Sequence, residues 1–172
     1  TQVEELGDKK RMGIILNSIG IVHYAKGNQD KALDCYSRSL AIADELGDKD
    51  GTGYSFNGIG NVLADKGDYD TALDYYGRSL AICEELVENR GMGYTLNNIG
   101  SVHYDKGDYD TALDYYNRSL TIADEFGVKD VMGISLNSIG AVHYAKGDQD
   151  KALDYYSRSL AIADELGDKD GT

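Results

Sequence analysis

One pattern confines this chain more than any other. Asn-X-Ile-Gly recurs at Asn17, Asn57, Asn97 and Asn137, and Ala-Leu-Asp at Ala32, Ala72, Ala112 and Ala152, both in steps of 40 residues. Units 11–50, 51–90, 91–130 and 131–170 account for 160 of 172 residues, and 17 of their 40 columns are identical in all four. A period of this size signals an array whose units bury their apolar faces only by stacking on one another. The overhangs keep the phase. Glu5-Leu6-Gly7-Asp8 matches Glu45-Leu46-Gly47-Asp48, so residues 1–10 read as the tail of a preceding repeat and 171–172 as the start of a further one, in an array cut from a longer one. A longer period lies within the first: residues 131–172 differ from 11–52 at five of 42 positions, the mark of a duplicated three-unit block.

Composition removes several classes of partner. Thirty Asp+Glu against 17 Lys+Arg leave a formal charge of −13. Nucleic acid and anionic membranes reward basic residues, so neither is expected as a partner. No apolar run approaches the roughly 20 residues of a spanning helix, and no signal segment precedes Thr1; a cytoplasmic setting follows as the expectation. Cys35 and Cys83 are too few for a disulfide framework or a zinc pattern.

Each unit reads as two helices, A and B. In helix B of unit 1, apolar residues at Ala32, Leu33, Tyr36, Leu40 and Ala43 follow amphipathic spacing. Asn28, Asp68, Asp108 and Asp148 stand at the N-cap, and Asp34/Arg38, Asp74/Arg78, Asp114/Arg118 and Asp154/Arg158 form i, i+4 pairs. Gly47, Gly127 and Gly167 are expected to stop helix B; Val87 replaces glycine in unit 2, predicting a less sharp end there. Helix A runs from about Asp50 to Lys66 in unit 2, with Gly67 ending it. It holds Gly51, Gly53, Gly58 and Gly60, each costing about 1 kcal/mol relative to Ala, so neighbours must hold it helical. At 100° per residue, Leu16, Ile19, Gly20 and His23 fall on one face, expected to bury against helix B, and Ile14, Asn17, Ile21, Tyr24 and Ala25 on the opposite one. The repeated asparagine is a poor helix former away from the apolar stripe, so the position wants its amide.

Leu16, Ile19, Gly20, His23, Gly27, Ala32, Tyr36 and Ser39, with their counterparts in each unit, carry a resemblance to the tetratricopeptide repeat. The unit is 40 residues long rather than the usual length of about 34. It looks like arrays found in polarity adaptors, kinesin light chains and bacterial signalling proteins. There are departures: His23, His103, His143 and Leu63 replace an aromatic, Ser39, Ser79, Ser119 and Ser159 replace a customary alanine, and the proline after helix B is missing. The resemblance implies an all-α, right-handed α-solenoid of four stacked helix-turn-helix repeats, with the A helices lining a concave groove that grips an extended peptide. The groove residues it implies are Asn17, Tyr24, Tyr54, Asn57, Asn61, Asp65, Tyr94, Asn97, Tyr104, Asp105, Asn137 and Tyr144. In related arrays such asparagines hold peptide main chain, and their amides have both donor and acceptor for it. The alternative is that they hydrogen-bond between adjacent A helices and knit the stack. Arrays that clamp acidic C-termini use groove Lys and Arg. The groove columns are those of Tyr54, Asn57, Asn61, Ala64 and Asp65, twenty positions over the four units; none is basic and two are Asp, so a bound peptide should be neutral or basic.

No catalytic constellation emerges, and no cofactor or metal is implied. The three histidines lie on separate repeats, on the buried face, and read as packing. Asp68-X-Asp70 resembles the start of a calcium loop, but the required Gly and Glu positions are Leu73 and Ser79. The expected function is a protein-interaction scaffold. Two alternatives stand beside it: a structural array associating head to tail through uncapped terminal repeats, and a regulatory segment of a larger signalling enzyme.

Overall fold

The computed structural model describes residues 2–170, with side chains over 4–167. Those residues form eight helices: α1 (Gln2–Ala25), α2 (Gln29–Leu46), α3 (Lys49–Asp65), α4 (Tyr69–Leu86), α5 (Asn89–Asp105), α6 (Tyr109–Phe126), α7 (Lys129–Ala145) and α8 (Gln149–Asp170). Odd-numbered helices are the A helices and even-numbered ones the B helices; no strand occurs among the described residues. The chain divides into two compact units, α1–α4 and α5–α8, each holding two repeats.

Glycine with positive φ makes the turns. After helix A, Gly27, Gly67, Gly107 and Gly147 take φ between 72° and 83°. The Gly27 N–H donates to the Tyr24 carbonyl at 2.8 Å and the Asn28 N–H to that of His23 at 2.9 Å, the paired bonds of a Schellman stop. Gly47 and Gly127 end α2 and α6 the same way. Two expectations need correction. Val87 does not blunt the end of α4: the helix stops at Leu86, as α2 and α6 stop at Leu46 and Phe126, because Val87 itself adopts φ 54°. Gly167 does not stop α8, which continues helically to Asp170, and α1 likewise runs straight through Gly7. Neither glycine has positive φ.

The caps are partly as expected. Asp68, Asp108 and Asp148 accept from the backbone N–H three residues on at 3.4 Å, whereas Asn28 makes no side-chain cap bond. Of the four i, i+4 pairs, Asp34–Arg38 and Asp154–Arg158 form, at 3.4 and 3.8 Å. Arg78 lies over the Phe56 ring instead, 4.0 Å from its centre, and Arg118 over Tyr115.

A tyrosine lies at the centre of the packing between the two repeats of each unit. Tyr36 of α2 is buried with Ala32, Ile59 and Val62 in the first unit, and Tyr116 of α6 with Ala112, Ile139 and Val142 in the second. The glycines face these rings: a Cβ at Gly20 or Gly58 would come within 2.6 or 2.7 Å of Tyr36, so side chains there are excluded on both sides of the ring. These clusters also correct one assignment. Ile59 and Val62 pack on helix B of the preceding repeat, so Ile19, their counterpart on α1, is 41% exposed rather than buried against α2.

Ion pairs repeat with the array. Lys66 reaches back to Asp30 at 2.7 Å and Lys146 to Asp110 at 2.6 Å, each joining the end of one helix A to the first turn of the preceding helix B. Lys9–Glu45, Lys49–Glu85 and Lys129–Glu165 tie each of these A helices to the end of the helix B that follows it.

Candidate binding face on the A helices

The A-helix face is built on a polar seam. In every repeat the helix B serine donates to a helix A glycine carbonyl: Ser39 to Gly13, Ser79 to Gly53, Ser119 to Gly93 and Ser159 to Gly133, at 2.8–2.9 Å. The serine therefore does work that alanine could not, and the glycine opposite lets the two helices approach. The repeated asparagine sits one turn beyond that glycine. In the second unit the Asn97 amide reaches the Gly93 carbonyl at 3.1 Å, Ser119 Oγ at 2.6 Å and Ser135 Oγ of the next A helix at 2.9 Å. In the first unit Ser55 Oγ donates to Asn17 Oδ1 at 3.3 Å, joining α3 to α1. The asparagine thus knits adjacent A helices.

The twelve sequence-derived residues therefore separate by environment. Asn97 is 4% exposed, its amide spent inside the seam, so it contributes no groove surface. Asn17 is half-buried against Ser55, and Asn57 is half-buried. Asn61 accepts from the buried Tyr76 hydroxyl at 2.7 Å, as Ser101 does from Tyr116 at 3.2 Å. Tyr24 donates to Asp65 across the α1–α3 contact; burial and that carboxylate push its hydroxyl up to about 12. Tyr94 donates to Asp130 at 2.8 Å, and Arg90 grips the same carboxylate, whose pKa is held below its usual range despite partial burial. The half-buried Tyr104 ring lies 5.4 Å from that of Tyr109. Burial raises the pKa of Tyr104.

Five residues face outward: Tyr54 and Asp65 of α3, Asp105 of α5, and Asn137 and Tyr144 of α7 are exposed. Tyr54 and Tyr144 are 62% and 64% exposed. Each unit thus presents an acidic A-helix face with an exposed tyrosine. The seam serines Ser55 and Ser135 were not picked out in the sequence, because their column reads Ile15, Ser55, Thr95 and Ser135 and no identity across the four units marks it. The histidines belong elsewhere: His103 and His143 stack on Tyr115 and Tyr155 at 5.5 and 5.4 Å, while Cys35 holds that tyrosine's position in the first repeat. Among the described residues no group of His, Cys, Asp and Glu is placed to hold a metal, and no helix is long and apolar enough to cross a membrane.

Comparison with known proteins agrees with this architecture. The family model described as tetratricopeptide repeat matches residues 11–85 and 91–165. No curated protein matches the chain. Among solved structures, it is similar to a Rap protein complexed with Competence and Sporulation Factor (21% identity, TM-score 0.85), over 96% of this chain and 45% of that one. Aspartyl phosphate phosphatase F from Bacillus subtilis is similar at 20% identity and TM-score 0.84, over 93% and 42%. BtubC from P. vanneervenii is similar at 24% and 0.73, over 90% and 64%. The chain thus spans less than two thirds of each of these proteins, and at such identities the likeness concerns the fold.

Proposed function

Because the chain belongs to the tetratricopeptide-repeat family, we propose that it is a protein-interaction scaffold whose A-helix faces take an extended peptide of neutral or basic character. The observation that carries this reading is the composition of the exposed A-helix surface. Tyr54 and Tyr144 are large and mostly solvent-facing, and the A helices of the same two units carry the exposed carboxylates Asp65 and Asp105, with no Lys or Arg among the groove positions. An exposed aromatic ring supplies contact area and a hydroxyl at low entropic cost. Carboxylates elsewhere on the same face favour a cationic ligand over an anionic one. The asparagine ladder supports the reading less than the tyrosines do, since Asn17 and Asn97 are engaged within the stack. The Rap protein with bound Competence and Sporulation Factor is a fold relative that holds a second molecule, which is in keeping with a binding role.

Selection from a peptide library graded in net charge tests this. Neutral and basic peptides should be enriched, and Tyr54→Ala with Asp65→Ala should remove that enrichment while leaving the far-UV circular dichroism unchanged. Enrichment of acidic peptides, or enrichment indifferent to both substitutions, refutes the assignment.

A further inference from the structure

On α5 and α7 of the second unit, three side chains converge. Arg90 lies one turn before Tyr94 on the same face of α5, and both meet Asp130 in the first turn of α7. The Tyr94 hydroxyl donates to Asp130 Oδ2 at 2.8 Å, and Arg90 places Nε and Nη2 on that same oxygen at 2.8 and 2.5 Å. The guanidinium carbon stands 5.6 Å from the centre of the Tyr94 ring. An arginine side chain is thus already held by an aromatic ring and a carboxylate, the chemistry put forward above for a basic ligand. We propose that Tyr94 and Asp130 form an arginine-binding site, occupied in the free chain by Arg90 and taken over by an arginine of the bound peptide, with Arg90 acting as a tethered competitor. This rests on the peptide-binding reading and names the side chain recognised at one place in it.

Three observations carry the proposal. First, the acceptor is fixed and the donor is not. Asp130 is 30% exposed and oriented by the Tyr94 hydroxyl, whereas the Arg90 side chain is 63% exposed and reaches it from solvent. A carboxylate held in place before the ligand arrives has little ordering left to lose on binding. Second, the grip of Arg90 is incomplete. Both of its nitrogens crowd one oxygen, whereas the strong guanidinium–carboxylate geometry spreads two parallel N–H bonds over both oxygens. An exposed pair of this kind adds little to stability, so its exchange for a ligand's arginine costs little. Third, the constellation arises from departures from the repeat. Successive A helices carry Lys10, Asp50, Arg90 and Asp130 in one column, and Ile14, Tyr54, Tyr94 and Ile134 in the other. In the corresponding place of the first unit, Ile14 has no hydroxyl to offer Asp50, which is exposed, and Lys10 turns to Asp48 at 3.2 Å. The ring and the fixed carboxylate together favour arginine over lysine. A planar guanidinium stacks and forks at once, whereas an ammonium is a point charge.

Titration of the whole chain with N-acetyl-arginine methylamide, followed through the Arg90 Nε–H resonance of nitrogen-15-labelled protein, tests the site. The probe should shift that resonance toward the position of an unpaired arginine. A surface pair favours its closed form by a factor of about 1.5–5. Arg90→Ala should therefore bind the probe about two- to sixfold more tightly, because the competitor is gone. Tyr94→Ile, which installs the residue of two other repeats, and Asp130→Asn should each weaken binding by about tenfold, the effect of losing a charge-assisted bond. N-acetyl-lysine methylamide should bind several-fold more weakly than the arginine probe. Circular dichroism should report unchanged helicity in every variant, and Arg90→Ala, at an exposed side chain, keeps the test decisive should another variant lose its fold. Weaker binding by Arg90→Ala than by the unaltered chain would overturn the proposal. So would a probe indifferent to both Tyr94→Ile and Asp130→Asn, or equal binding of the arginine and lysine probes. Selection from the charge-graded library separates this site from the scaffold role. Basic peptides enriched equally on the unaltered chain and on Tyr94→Ile would keep that role and overturn this site, whereas no enrichment on the unaltered chain would overturn both.

Discussion

Gly60 and Gly77 lie in the same repeat, in α3 and α4, yet replacing each with alanine should move stability in opposite directions. Gly77 has nothing within 4 Å of the position its Cβ would take, so Gly77→Ala should stabilise by about 1 kcal/mol through helix propensity alone. A Cβ on Gly60 would lie 2.6 Å from Cε1, 2.8 Å from Cδ1 and 3.1 Å from Cζ of Tyr76. Carbon atoms settle at about 3.5–4.0 Å, so the ring must retreat by about 1 Å. It has little room, being 2% exposed with its hydroxyl bonded to Asn61 at 2.7 Å. Forced overpacking of that kind costs about 1–3 kcal/mol, and this ring belongs in the upper half of the range. After the same gain of about 1 kcal/mol in propensity, Gly60→Ala should destabilise by about 1–2 kcal/mol. The two variants should therefore differ by about 2–3 kcal/mol, since the propensity effect is common to both. Urea unfolding followed by circular dichroism measures this, with both changes reported by one repeat. Tyr76→Leu should erase most of the penalty in a double-mutant cycle. If Gly60→Ala proved as stabilising as Gly77→Ala, the packing argument would fail.

Other expectations follow from single features. Val87 holds a left-handed backbone that costs a residue with a Cβ about 1–2 kcal/mol, and its exposed side chain has little packing to lose. Val87→Asn should accordingly raise the melting temperature, and Val87→Gly should do so less because glycine adds freedom to the unfolded chain. Asn97→Ala should cost about 1–3 kcal/mol by stranding the seam hydroxyls, while Asn137→Ala, on an exposed site, should stay within about 0.5 kcal/mol. Equal losses in urea titrations would show that the seam does not depend on the amide. Burial raises Tyr24 and Tyr36 to about 12 in the folded chain, against about 10 when unfolded. Their contribution is complete below pH 10 and is lost as pH rises toward 12, so tyrosinate absorbance and loss of helicity should climb together across that window.

The period made the fold legible because 40-residue identity is a global signal, and glycine at six of the seven turns fixed the helix ends locally. Val87 shows where local signals fail: it takes a left-handed turn that a β-branched residue disfavours, so the residue type did not announce the sharp helix end. Ile19 shows another limit. A helical wheel gives the face on which a residue lies, but whether the preceding or the same helix B covers that face is a matter of stacking. The asparagines were legible as special and not as to purpose, because an amide serves a peptide backbone and a neighbouring serine equally well. Only the placement of Ser119 and Ser135 within reach of Asn97 separates the two uses.

The connector between repeats has a mechanical consequence. Glu45-Leu46-Gly47-Asp48-Lys49-Asp50 bends at Gly47, whereas the identical sequence at 165–170 continues as helix. Six residues that accept both shapes do not encode the bend; the burial of the next A helix supplies the free energy for it. Pulled from one end, such an array would shed whole repeats in discrete steps, each released connector springing into straight helix before it lengthens into coil. Its resistance to force would reside in the faces between repeats, and the connectors would act as latches that close only when a neighbour is present.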